Sequence, residues 1–268
     1  MLRKIGILNV GTALFLLSFF IPSAWADSLS KNITVAPDVD VPVSIYPAKG
    51  KLSAVLLWLP SEVGVANAEK SAAEKLAEKG VEVWVADTLF ARFLPLLPSS
   101  MEKIPPSDIA QLIEAALRSH SKPVYLISAG RGAVPALEGA ALWQKQHGKS
   151  REGKQLAGAI LMFPNLYVAT PDVGEEADYL PIASHTHLDI MILQGNMSPW
   201  YWRLERTREK LEQGGSKVSV QVLIGARDRF YAREHTSVPL RSEQEMARRM
   251  PDLVYDALRV LRERENRP

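Results

Sequence analysis

Runs of apolar and β-branched residues alternate along this chain with stretches whose apolar positions recur every three or four residues. That alternation predicts strands crossing over through helices into a mostly parallel sheet with flanking helices, an α/β domain. Ile33–Ala36 and Val41–Tyr46 read as an opening edge hairpin, and Ser53–Leu59 as a strand buried on both faces. Ala68, Ala72, Ala73, Leu76 and Ala77 then share one helical face, which stops at Gly80, a residue suited to the C-terminal cap. Val81–Ala86 predicts a second core strand ending in Asp87.

Residues 88–106 are rich in Leu, Phe and Pro without a clear period, and read as a loop packed over the end of the sheet. Ser107 or Asp108 is placed to cap a helix whose buried face is Ile109, Leu112, Ile113, Ala116 and Leu117. Val124–Ser128 predicts a strand that runs into a glycine-rich turn and an alanine-rich helix to about Gln146, with the polar stretch Lys145–Gln155 as a surface connection. Leu156–Phe163, Leu188–Gln194 and Val218–Ile224 are three further strands, with an amphipathic helix around Trp200–Gln213 between the last two. The C-terminal segment opens on Ser242-x-x-Glu245, the pattern of a capping box, and breaks at Pro251 before a final helix through Leu261.

The first residues depart from this alternation. Arg3 and Lys4 precede an apolar stretch from Ile5 to Ile21, and Ala24-Trp25-Ala26 follows as a small-x-small site. This is the three-part order of a secretion signal, with cleavage expected after Ala26. Asn9, Gly11 and Thr12 interrupt the apolar run and Pro22 ends it, which argues against a spanning helix. The expected organisation is a signal at 1–26 and one domain over 27–268, periplasmic or secreted, with no membrane span after cleavage.

Composition narrows the chemistry. Of 32 basic residues Arg3 and Lys4 lie in the signal, so the remaining chain balances 30 basic against 30 acidic residues. That balance argues against nucleic acid or an anionic membrane as the main partner. The chain has no cysteine, which removes disulfides, thiolate catalysis and cysteine-bound metals together. With 47% hydrophobic residues, the domain has material for a full core.

The glycine-rich turn Ser128-Ala129-Gly130-Arg131-Gly132-Ala133 carries the most specific signal. In that turn, and in the order of strands and helices over about residues 33–265, the chain resembles the α/β-hydrolase family. The resemblance implies a strand-to-helix bend of the form small-x-nucleophile-x-small-small, because the tight turn leaves no room for side chains at the flanking positions. Aligned so, the nucleophile position holds Gly130. Making Ser128 the nucleophile instead would put Leu126 and Arg131 at positions that must be small. The acid implied after the penultimate strand falls in Gln194–Pro199, where Ser198 stands, and the histidine implied after the last strand is missing from Gly225–Phe230. Glycine relieves the backbone strain that a catalytic residue bears in this turn.

The function these vacancies imply is a non-catalytic one: an exported binding or accessory protein of hydrolase fold, with a small anionic ligand or an envelope protein as partner. An anion would sit at the turn Gly130-Arg131-Gly132, where a helix N-terminus offers unpaired N–H groups, close to Trp200 and Trp202. Three adjacent aromatics, Trp200, Tyr201 and Trp202, cannot all face one core, so at least one is expected to be exposed or covered by the 88–106 loop. The enzyme alternative is a serine hydrolase of ester or thioester bonds using Ser128, with His235 as base and Asp228 as acid. A third reading takes His185, His187 and Asp189, spaced H-x-H-x-D, as metal ligands of a hydrolase; here the motif precedes a strand, whereas in metallo-β-lactamase-like enzymes it follows one. Neither of the first two readings calls for a cofactor.

Overall fold

The computed structural model describes residues 28–265 except 149, 173, 236 and 237. The expected signal at 1–26 lies outside the described residues. Eight strands form the core: β1 (Leu29–Ala36), β2 (Val39–Tyr46), β3 (Ala54–Trp58), β4 (Val81–Ala86), β5 (Val124–Ala129), β6 (Leu156–Met162), β7 (Ile190–Gly195) and β8 (Val218–Leu223). They make one sheet in the order β1-β2-β4-β3-β5-β6-β7-β8. Only β2 runs against its neighbours; every pair from β4 to β8 is parallel. The expected edge hairpin and mostly parallel sheet are both present.

The period-two geometry of a strand divides its residues between two layers. In β3 and the residue after it, Val55, Leu57 and Leu59 face one hydrophobic cluster, whereas Ala54, Leu56 and Trp58 face the other. The first cluster is closed by α4 (Pro106–Ser119) and α5 (Ala133–His147), through Ile109, Leu112, Ile113, Leu137, Ala140 and Trp143. Gly139 permits this pairing, because a Cβ there would overlap Ile109. The second cluster is closed by α1 (Asn67–Glu78) and α8 (Arg241–Glu265), through Ala72, Ala73, Leu76, Val254, Ala257 and Leu258. Full burial of a Leu or Ile side chain is worth about 1.5–3 kcal/mol, so these two faces hold the sheet in place.

Several local expectations give way to tertiary contacts. The 88–106 segment contains two one-turn helices, α2 (Thr88–Ala91) and α3 (Pro98–Met101), and Asp87 caps the first by accepting from Phe90 N at 3.0 Å. Asp108 does not cap α4: its carboxylate is fully buried and takes both arms of Arg92, at 2.6 and 2.7 Å. The 145–155 connection includes α6 (Arg151–Gln155). The helix after Trp200 begins as a 3-10 turn over Pro199–Arg203 and becomes α7 at Leu204–Gln213. The expected Ser242–Glu245 box is replaced by Glu243, which accepts from Leu240 N at 2.8 Å, while the Ser242 hydroxyl donates to Gly225 O. Helix α8 runs unbroken through Pro251, because Met250 before it and Val254, Ala257 and Leu258 after it pack on the same face of the sheet. Among the described residues no helix is long and apolar enough to cross a membrane.

Candidate functional site

Strand β5 ends at Ala129 in an extended conformation, and Gly130 then turns the chain with φ +55° into a short 3-10 turn that leads directly into α5. Left-handed φ is open to glycine and costs other residues about 1–2 kcal/mol. Gly132 is needed for a different reason. A Cβ there would overlap both the Pro60 carbonyl and the Ser128 hydroxyl, so the turn packs tightly on the end of β3.

Because β3 lies beside β5 in the sheet, the loop after β3 passes over this turn. Glu62 in that loop carries the most informative contact. Its Oε2 accepts from the backbone N–H of Arg131 at 2.9 Å, and its Oε1 takes Arg229 Nη1 at 3.2 Å. The carboxylate stands directly over Gly130: the position a Cβ would occupy there lies 2.6 and 2.9 Å from the two Glu62 oxygens. Glycine at 130 and glutamate at 62 are therefore a matched pair.

A cavity of about 260 Å³ opens above this arrangement, lined by Glu62, Val63, Leu96, Gly130, Phe163, Asn165, Trp200, Asp228 and Arg229, among others. Phe163 and Arg229 both have positive φ, +40° and +52°. Such values in residues with side chains cost on the order of 1–3 kcal/mol and persist where surrounding structure over-determines them. The Phe163 ring packs against Tyr231, whose hydroxyl reaches a second carboxylate, Glu69 of α1, which is buried and accepts from Tyr231 Oη and Ala66 N, each at 2.9 Å. Burial pushes the Glu69 carboxyl up to about 7, and its hydrogen bonds only partly offset that rise.

The residues singled out in the sequence separate into several places. Gly130 and Trp200 line the same cavity. The Arg131 side chain leaves it, pairing with Glu102 and donating to Tyr167 O and Asn165 Oδ1. Gly132 is packed beneath the turn, and Trp202 is 87% exposed beside Glu175 and Arg206. The backbone N–H of Arg131, expected to be open to an external anion, is occupied by Glu62.

Ser128 is fully buried inside β5, with its hydroxyl 3.5 Å from Pro60 O, and it does not line the cavity. Asp228 does line it and accepts from Gln194 Nε2 at 3.5 Å. His235 ends a segment, Phe230–His235, of short 3-10 turns kinked at Ala232, but its side chain lies outside the described residues. Ser198, at the position implied for an acid, accepts from Trp200 N at 3.0 Å and caps the aromatic turn. His185 Nδ1 lies 2.5 Å from Pro181 O, and the His187 ring packs against Gly215. Among the described residues no group of three or more His, Asp or Glu side chains is arranged to hold a metal ion.

Sequence reasoning missed Glu62, Asn165, Phe163 and Arg229. The order of strands held one signal for Glu62, since the loop after the strand next to β5 is the segment that must overlie the turn.

No family model matches the chain, and comparison with curated proteins finds no match. Solved structures do resemble it. A putative dienelactone hydrolase from Klebsiella pneumoniae superposes with a TM-score of 0.58 at 16% identity, covering 84% of this chain and 97% of its own. A dienelactone hydrolase-like promiscuous phosphotriesterase, P91 from metagenomic libraries, gives 0.59 at 14% identity, covering 86% and 98%. Thermogutta terrifontis esterase 2, in a form phosphonylated by sarin, gives 0.55 at 12% identity, covering 85% and 94%. Sheet order, turn geometry and these neighbours agree on the architecture, and the chain has the α/β-hydrolase fold.

Proposed function

We propose that this chain is a hydrolase-fold binding protein that holds a small ligand in the cavity over Gly130 without forming a covalent intermediate, and that it serves as an accessory factor outside the cytoplasm. One observation carries the reading. At the strand-to-helix turn, where the fold resemblance locates a nucleophile, Gly130 offers no side chain, and the Glu62 carboxylate fills the space such a side chain would need. A covalent mechanism requires a nucleophile within hydrogen-bond reach of a base, together with free N–H donors for the developing oxyanion. Here the Arg131 N–H is already engaged by an anion of the chain itself. The exported location rests on the 1–26 pattern alone.

The neighbours favour a second reading, since by name they are esterases and dienelactone hydrolases. On that reading the chain is a serine hydrolase of ester or thioester bonds, with Ser128 attacking and His235 and Asp228 assisting. It would require the Ser128 hydroxyl to leave its place beneath Gly132 and reach the cavity.

Hydrolysis of short-chain p-nitrophenyl esters and thioesters by the purified protein, compared with Ser128→Ala, separates the two. The binding reading expects no turnover above the buffer rate in either protein. Turnover that disappears in Ser128→Ala would establish the hydrolase instead.

A further inference from the structure

We infer that the group recognised in this cavity is a small organic cation, an ammonium or guanidinium, and that Glu62 is its counterion. The inference rests on the non-covalent reading of the site and supplies the ligand chemistry that reading leaves open.

An anion is the ligand that a strand-to-helix turn would ordinarily suggest, because its N–H groups carry partial positive charge. In this protein that demand is met from within. Glu62 Oε2 is fixed on the Arg131 N–H at 2.9 Å, and the Glu62 side chain is only 12% exposed. An incoming anion would have to displace a carboxylate tethered on the spot, or sit beside it and be repelled. The Arg131 guanidinium cannot assist, since it is turned away to Glu102 and Tyr167 O.

With Oε2 tied to the backbone, the remaining oxygen, Oε1, already holds a cation of the chain itself. Arg229 Nη1 lies 3.2 Å from it, on a side chain that is 40% exposed and a backbone at φ +52°. Of the four non-glycine residues with positive φ among those described, two, Phe163 and Arg229, line this one cavity. The Arg229 guanidinium is a cation already seated on Glu62, on a side chain that reaches solvent. Half-buried Trp200 on the wall suits a cation better than an anion, because an aromatic face is negative. Arg229 is thus a resident stand-in for the bound group. A ligand cation exchanges with it on Glu62, and Val63 and Leu96 at the rim accommodate an apolar substituent.

The test is calorimetric titration of the purified protein with tetramethylammonium, ethylguanidinium, acetate and inorganic phosphate, in the parent, Arg229→Ala and Glu62→Gln. The parent should bind at least one of the two cations and neither anion. Arg229→Ala removes the internal competitor and should bind that cation at least tenfold more tightly. Glu62→Gln can still accept from the Arg131 N–H but has lost the charge, and its cation affinity should fall at least tenfold.

Thermal melts establish that each variant is folded; if Glu62→Gln is not, the direction of change in Arg229→Ala decides. Failure of both cations to bind parent and Arg229→Ala overturns the inference. So does anion binding that strengthens in Glu62→Gln, since Glu62 would then be a displaceable plug. Ester turnover dependent on Ser128 would refute the non-covalent reading separately, and the cation titrations are read without reference to it.

Discussion

Replacing Gly130 by alanine probes the contact on which the site is built, and its cost can be worked from the structure. Two terms enter. A side chain at φ +55° costs about 1–2 kcal/mol relative to glycine. The new Cβ would also stand 2.6 and 2.9 Å from the Glu62 oxygens, so the carboxylate must leave the Arg131 N–H. A hydrogen bond to a charged group is worth about 1.5–3 kcal/mol, which brings the expected loss to roughly 2.5–5 kcal/mol. In a Glu62→Ala background the second term is absent and only the backbone term of about 1–2 kcal/mol remains. Urea unfolding of the parent, both single variants and the double variant closes the cycle. The expected coupling is roughly 1.5–3 kcal/mol, with the double variant more stable than the two single losses predict. Additivity within about 0.5 kcal/mol would refute the claim that Glu62 occupies the space over Gly130.

Three further outcomes follow from other parts of the molecule. Burial holds the Glu69 carboxyl at about 7, above its ordinary 4.5, so the folded state keeps a proton that the unfolded chain has released. Its contribution is therefore fully present below about pH 4.5 and lost as pH rises through 7, roughly 3 kcal/mol at 1.36 kcal/mol per pH unit, and Glu69→Gln should flatten that part of a stability-versus-pH curve. Glu243 behaves oppositely: its hydrogen bond to Arg227 holds it down to about 2, so its stabilisation is present above pH 4.5 and lost as pH falls through 2. Glu243→Ala removes the acceptor of the Leu240 N–H and of part of the Arg227 guanidinium, and should lower stability by denaturant unfolding at neutral pH by about 1.5–3 kcal/mol. N-terminal sequencing of exported protein should begin at Asp27, and a start at Met1 would remove the signal assignment.

The layers of the fold were legible because they follow from periodicity. Continuous apolar runs such as Val55–Leu59 belong to strands buried on both faces, and the spacing of Ile109, Leu112, Ile113 and Ala116 is that of one helical face. Positions where a long-range partner decides were not legible. Asp108 and Glu243 each carry a local capping signal or adjoin one, yet each is recruited by an arginine distant in sequence, Arg92 or Arg227. Pro251 forecast a break that packing on both sides of it overrides.

At the site the same division holds. The turn at Gly130 was readable from its glycines, because backbone conformation is local. Glu62 and Arg229 are 167 residues apart and meet only because the ends of several strands converge on one edge of the sheet. Ser128 fitted the nucleophile position poorly in the sequence, with Leu126 and Arg131 where small residues are needed, and the structure buries it fully in β5.

Whether the cavity over Gly130 works without a covalent nucleophile is decided by intact-mass analysis of the purified protein after incubation with a fluorophosphonate. One structural neighbour, Thermogutta terrifontis esterase 2, is known in a form phosphonylated by sarin, so a member of this fold can carry such an adduct. For this chain an unchanged mass is expected. A stoichiometric phosphonyl adduct that maps to Ser128 and is absent from Ser128→Ala would contradict it.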